Sequence, residues 1–107
     1  MTTEAFKPYA NTSALDVTAA AQTITPAIPS PSQAQSEMQY LITVAGTQTV
    51  FIAFNQAAVI PTTGTNNTGI PILAGQTVMF SVPSGSTVSA IASGVGSSIY
   101  VTPGKGV

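Results

Sequence analysis

The chain has 107 residues and a net charge of −1; 44% of its residues are hydrophobic and only 5% are charged. Two lysines cannot displace counterions along a phosphate backbone, and the same shortage argues against holding an anionic membrane surface. Without histidine or cysteine, a disulfide, a thiolate metal site and a histidine base are all excluded.

The length is that of one domain. A typical soluble domain has about 25% charged residues. Here the whole charged set is Glu4, Lys7, Asp16, Glu37 and Lys105. The surface must therefore be built from Thr, Ser, Gln, Asn, Gly and Ala, which resist self-association poorly and suit a protein packed against neighbours. Residues 1–7 contain no basic region followed by an apolar run, so a secretory signal is not expected. No apolar run approaches the ~20 residues of a membrane span. Synthesis in a cytoplasm without signal-directed export is the expectation.

In chain order, residues 1–13 are polar and aperiodic and read as an extended N-terminal arm, with Phe6 and Tyr9 as its anchors. Leu15, Val17 and Ala19 alternate with polar residues in a first strand, and Thr23–Thr25 forms a short second one. The alanine run between them has helix propensity, but the flanking threonines and Pro26 oppose a helix. Residues 26–37 hold three prolines within six residues and read as an extended connection or projecting loop. Met38–Phe54 shows two runs of period-two alternation around Ala45-Gly46-Thr47-Gln48, which predicts a β-hairpin at the centre of the core. Ala57–Ile60 continues it weakly. Residues 61–69 are all turn formers or small polar groups and predict an exposed tip. Short strands follow at 70–73, 78–82, 88–92 and 99–101, separated by Gly- and Pro-bearing turns. Seven to nine short strands so spaced predict an all-β fold: a small β-sandwich, jelly-roll-like, over residues 14–107, with the arm at 1–13.

Chemistry is sparse. The three acids, Glu4, Asp16 and Glu37, all fall in the first 37 residues, and only Asp16 sits in a predicted strand. A paired-carboxylate site needs two groups that converge, and a serine nucleophile would have to recruit Lys7 or Lys105 near the termini. No catalytic residue, metal site or cofactor is expected, and the chain is read as a non-enzyme. Asn66-Asn67 offer neutral oxygen ligands with no acid nearby in sequence, too little for calcium. The N-glycosylation patterns at Asn11 and Asn66 read as coincidences of a Thr/Ser-rich chain. A glycan site would need an aromatic platform, for which Tyr9, Tyr40 and Tyr100 are the candidates; the competing reading places Tyr40 and Tyr100 in or beside the core.

The segments Tyr40–Phe54 (with TVFIAF), Ile70–Phe80 (with a P-x-L-A-G turn), Val88–Ala92 (SAIA) and Ile99–Gly104 (YVTPG) together resemble small head decoration, or cement, proteins of short-tailed bacteriophages. The resemblance spans residues 14–107 and rests on structural patterns, not on active-site motifs. It implies a protein on the capsid exterior of a virion, made in the host cytoplasm. Such a protein bridges major capsid protein subunits and is a homo-oligomer, a dimer or a trimer. Nucleic acid and membrane are not expected as partners. The contact residues expected on this reading are Phe6 and Tyr9 in the arm and Pro26, Ile28, Pro29 and Pro31 in the proline-rich stretch. The alternative is a phage adhesion or receptor-binding module that recognises host surface glycan.

Overall fold

The computed structural model describes residues 6–27 and 37–105. Those residues form nine strands and no helix: β1 (Lys7–Pro8), β2 (Ser13–Val17), β3 (Gln22–Ile24), β4 (Glu37–Gly46), β5 (Val50–Phe54), β6 (Ile70–Ile72), β7 (Thr77–Pro83), β8 (Val88–Ala92) and β9 (Ser97–Lys105). Two antiparallel sheets pack face to face. The five-stranded sheet runs β1–β9–β4–β7, with β2 continuing the β1 side of β9. The four-stranded sheet runs β3–β8–β5–β6.

From β2 onward the chain changes sheet at every connection except β5 to β6, so neighbours in sequence are almost never neighbours in a ladder. This is the strand order of a jelly roll, in which two Greek keys are wound together. The expected sandwich is present, and its connections are jelly-roll connections.

The expected hairpin is not present. β4 pairs with β7 and β9 in one sheet, while β5 pairs with β6 and β8 in the other. Residues 47–49 form an arch that carries the chain across the core. The arch locks onto the β8–β9 connection, which crosses at the same end. The buried Ser97 hydroxyl accepts from the Gln48 N–H at 2.8 Å and donates to the Gln48 carbonyl at 3.1 Å. The Thr47 N–H donates to the Gly96 carbonyl at 3.2 Å. Gly46 makes this approach possible. Its φ is +119°, and a Cβ there would overlap the Gly96 carbonyl oxygen.

Alternation builds the core. Met38, Tyr40, Ile42 and Val44 of β4, Val50 and Ile52 of β5, Val88, Ala90 and Ala92 of β8, and Ile99 and Val101 of β9 point between the sheets and are buried. Val17, Ile72 and Val82 complete the cluster from strands at or near the rims. The opposite end from the arch is aromatic. The Phe54 ring centroid lies 6.3 Å from that of Tyr40 and 5.2 Å from that of Phe80. The Tyr40 hydroxyl, buried, donates to the Ser86 carbonyl at 2.7 Å. Among the described residues, no buried side-chain nitrogen or oxygen lacks a hydrogen-bond partner.

The tip expected at residues 61–69 is exposed over 62–67, and the segment leading into it, residues 55–60, packs on the sheet. Ala58 is buried and its N–H donates to the buried Ser89 hydroxyl at 2.9 Å. Ser89 lies on the outer side of β8, so this segment packs on the outer face of the four-stranded sheet.

Candidate interaction surface

Among the described residues the outer face of the five-stranded sheet carries exposed and half-buried side chains, and strand register lays out that face in rows. Across β2, β9, β4 and β7, one row reads Ala14, Tyr100, Thr43 and Thr77; the next places Thr102, Leu41 and Met79 side by side; another pairs Gln39 with Ser81. Hydroxyls join the strands along these rows. The Thr43 and Thr77 hydroxyls lie 3.0 Å apart, and those of Thr12 and Thr102 lie 2.7 Å apart. Such cross-strand pairs hold each rotamer in place.

Charge is confined to the margins. Asp16 lies at one corner, where its carboxylate accepts from the Ser98 hydroxyl at 2.9 Å. Glu37 lies at the first residue of β4, opposite Pro83. Beside Asp16 an open depression of about 340 Å³ is lined by Val17, Thr18, Val95, Gly96, Ser97 and Ser98. It brings one carboxylate together with two serines and no second titratable group, which leaves proton transfer without a partner. Among the described residues, no cluster of three or more metal-ligating side chains occurs.

The residues singled out from the sequence fall as follows. Phe6 is half-buried, its ring within 2.6 Å of where a Cβ on Gly104 would sit. Tyr9 is half-buried against the core, and its N–H donates to the Pro103 carbonyl at 2.9 Å. The two anchors thus come together at the end of β9, and β1 between them pairs Lys7 with Lys105 and Pro8 with Gly104. Residues 6–13 therefore run along the body as an edge of the sheet. Pro26 is buried just beyond β3, in the other sheet. Ile28, Pro29 and Pro31 lie outside the described residues.

Of the three tyrosines considered as a glycan platform, Tyr40 is 3% exposed and belongs to the core, Tyr9 is half-buried, and Tyr100 is 43% exposed on the outer face. Burial pushes the Tyr40 hydroxyl above the usual tyrosine range.

The continuity of this face escaped the sequence reading. Its signal was there in the positions left over by the core pattern, such as Gln39, Leu41 and Thr43, Thr77, Met79 and Ser81, and Ser98, Tyr100 and Thr102. Only the register joins them into one surface. No protein-family model matches the chain, and no curated protein or solved structure matches it either.

Proposed function

We propose that this chain is a structural virion protein that decorates a bacteriophage capsid and stabilises it by bridging major capsid protein subunits, with no catalytic step of its own. The observation that carries the reading is the outer face of the five-stranded sheet, which among the described residues is hydroxyl-rich, partly exposed and charged only at its margins. The centres of protein interfaces are depleted of charge, because a desolvated ion must find a partner or lose solvation energy. A face of threonine, leucine, methionine and tyrosine can be covered at little desolvation cost. The resemblance to cement proteins points the same way. On this reading that face meets the capsid, and Phe6 and Tyr9 contribute by holding the sheet edge in place.

The test is the copy number of the chain in purified particles from its source, read by quantitative mass spectrometry. A simple ratio to the major shell protein, at tens to hundreds of copies, is the expected result. Absence from the particles overturns the reading. A handful of copies would move the protein to a tail or vertex and favour the second reading, adhesion to host glycan, which Tyr100 supports as an exposed ring on a hydroxyl-bearing surface. In that case Tyr100→Ala abolishes binding on a glycan array.

A further inference from the structure

Three of the four sheet edges are guarded against pairing with another chain. β3 and β6 are three residues long, and β6 has Pro71 at its centre. The β1–β2 edge is interrupted between Pro8 and Ser13 and carries Asp16. Prolines, charges, short length and irregularity are the usual defences of an edge strand. β7 has none of them over its first six residues. It runs seven residues, Thr-Val-Met-Phe-Ser-Val-Pro, uncharged, with its one proline at the last position.

Among the described residues no strand pairs with the far side of β7, and its ladder with β4 fixes which backbone groups face that side. The Val44 N–H donates to the Gln76 carbonyl at 3.0 Å. Bonded pairs alternate along an antiparallel ladder, so Val78, Phe80 and Val82 bond inward to Ile42, Tyr40 and Met38. The N–H and C=O groups of Thr77, Met79 and Ser81 therefore point away from β4. The flank behind them is apolar. Val78 and Phe80 face the core yet are only half-buried, and nearby on β6 and the following turn Ile70 is 41% and Leu73 56% exposed.

We propose that β7 pairs antiparallel with β7 of a second copy of this chain about a two-fold axis at Met79, joining two five-stranded sheets into one. In this register Thr77 faces the partner's Ser81 and Met79 faces the partner's Met79. Each of these outward-facing pairs exchanges two backbone bonds. On the core side, Val78 meets the partner's Phe80, so the half-buried residues of each copy are covered by those of the other. On the outer face, the Leu41–Met79 row continues into the partner's row. No charge opposes a charge. The two-fold uses up both open edges, so the assembly closes at two copies. A seven-residue strand is about 24 Å long, and the molecule is about 25 Å across its short axes. The flank thus offers at most roughly 600 Å² per copy, or about 1,200 Å² in total, at the lower limit of specific interfaces. The dimer is accordingly concentration-dependent. The inference stands on the edge geometry and holds or fails independently of the virion reading.

Sedimentation velocity of the purified chain from about 1 to about 200 µM, a range suited to an interface of this size, tests it. The expected species is a dimer of twice the 10.8 kDa chain mass. Two double variants test the register. T77K/S81K sets lysine against lysine across the axis and weakens dimerisation by about tenfold or more. T77K/S81E sets lysine against glutamate and restores the wild-type dissociation constant to within about threefold. Both substitutions sit on the exposed outer face of an edge strand, and circular dichroism with thermal melting confirms that each variant is folded. A wild-type chain that stays monomeric throughout, a trimer or an open-ended polymer, or two variants that dimerise alike, overturns the proposal.

Discussion

Asn55 sits at φ 60°, the one non-glycine residue with positive φ among the described residues. Its backbone and side chain both explain why it is tolerated there. The side-chain oxygen accepts from the Thr87 N–H at 3.0 Å, the side-chain amide donates to the Ser86 hydroxyl at 3.0 Å, and the Asn55 N–H donates to the Thr87 carbonyl at 3.1 Å. Asparagine enters the left-handed region more readily than other side chains with a Cβ. Asn55→Ala loses both side-chain bonds and keeps the strain, and we expect a loss of about 2 kcal/mol in urea unfolding. Asn55→Gly relieves the strain but loses the same bonds, and retains about half of that stability difference. Tyr40, at the same end, sets a pH limit. Its folded pKa is raised by burial, so the folded state holds the proton more tightly than the unfolded chain. Stability is therefore fully present below the unfolded value of about 10 and falls as pH rises through the folded value. Tyr40→Phe removes this alkaline loss, and a pH series of denaturation midpoints in both proteins reads it directly. From sequence, Tyr40 was legible as a strand residue, but its hydroxyl partner Ser86 was not, because the two are far apart in the chain and meet only through the fold.

At the scale of elements, the decisive feature is the arch between β4 and β5. Both strands alternate as a hairpin would, and a connection containing glycine joins them. A hairpin and an arch demand the same local pattern, since in each case one face of each strand is buried. What separates them is competition for the edges of β4. β7 and β9 occupy both, with ladders spanning Glu37–Thr43 and Gln39–Gly46. No edge of β4 is left for β5. The arch then depends on Gly46, whose φ and close approach to Gly96 leave no place for a Cβ. Gly46→Ala is expected to cost about 3 kcal/mol or to prevent folding. Gly85→Ala is the control. It has positive φ but open space around it, and costs only about 1 kcal/mol. Thermal melts of the two variants side by side measure the difference. The strand segments themselves were largely legible. The expected strand ends at Ala19 and Leu73 run past β2 and β6, and Ala57–Ile60 is loop, because no partner strand lies beside those residues to continue the ladder.

At the scale of the whole molecule, five charged side chains in 107 residues leave little for electrostatics to do. Exposed ion pairs contribute about 0–1 kcal/mol each, and salt screens even that. The unfolding free energy in urea is therefore expected to change by less than about 0.5 kcal/mol between low salt and half-molar sodium chloride; a larger change would show that the few charges are placed for stability. The same scarcity leaves burial and hydrogen bonding to hold the sandwich, and leaves one sheet face and one edge strand without the charges that usually keep surfaces apart. The sequence by itself determined the all-β class, the positions of most strands, the buried half of each alternating pattern and the absence of histidine and cysteine. These follow from local periodicity and composition. The tertiary structure alone decided that an arch, not a hairpin turn, joins β4 to β5, that Phe6 and Tyr9 lie against β9, that the segment around Ala58 packs on one sheet, and that the outer rows of the other form a continuous face. Those outcomes depend on which strand wins each edge, a competition among segments distant in the chain that no local pattern encodes.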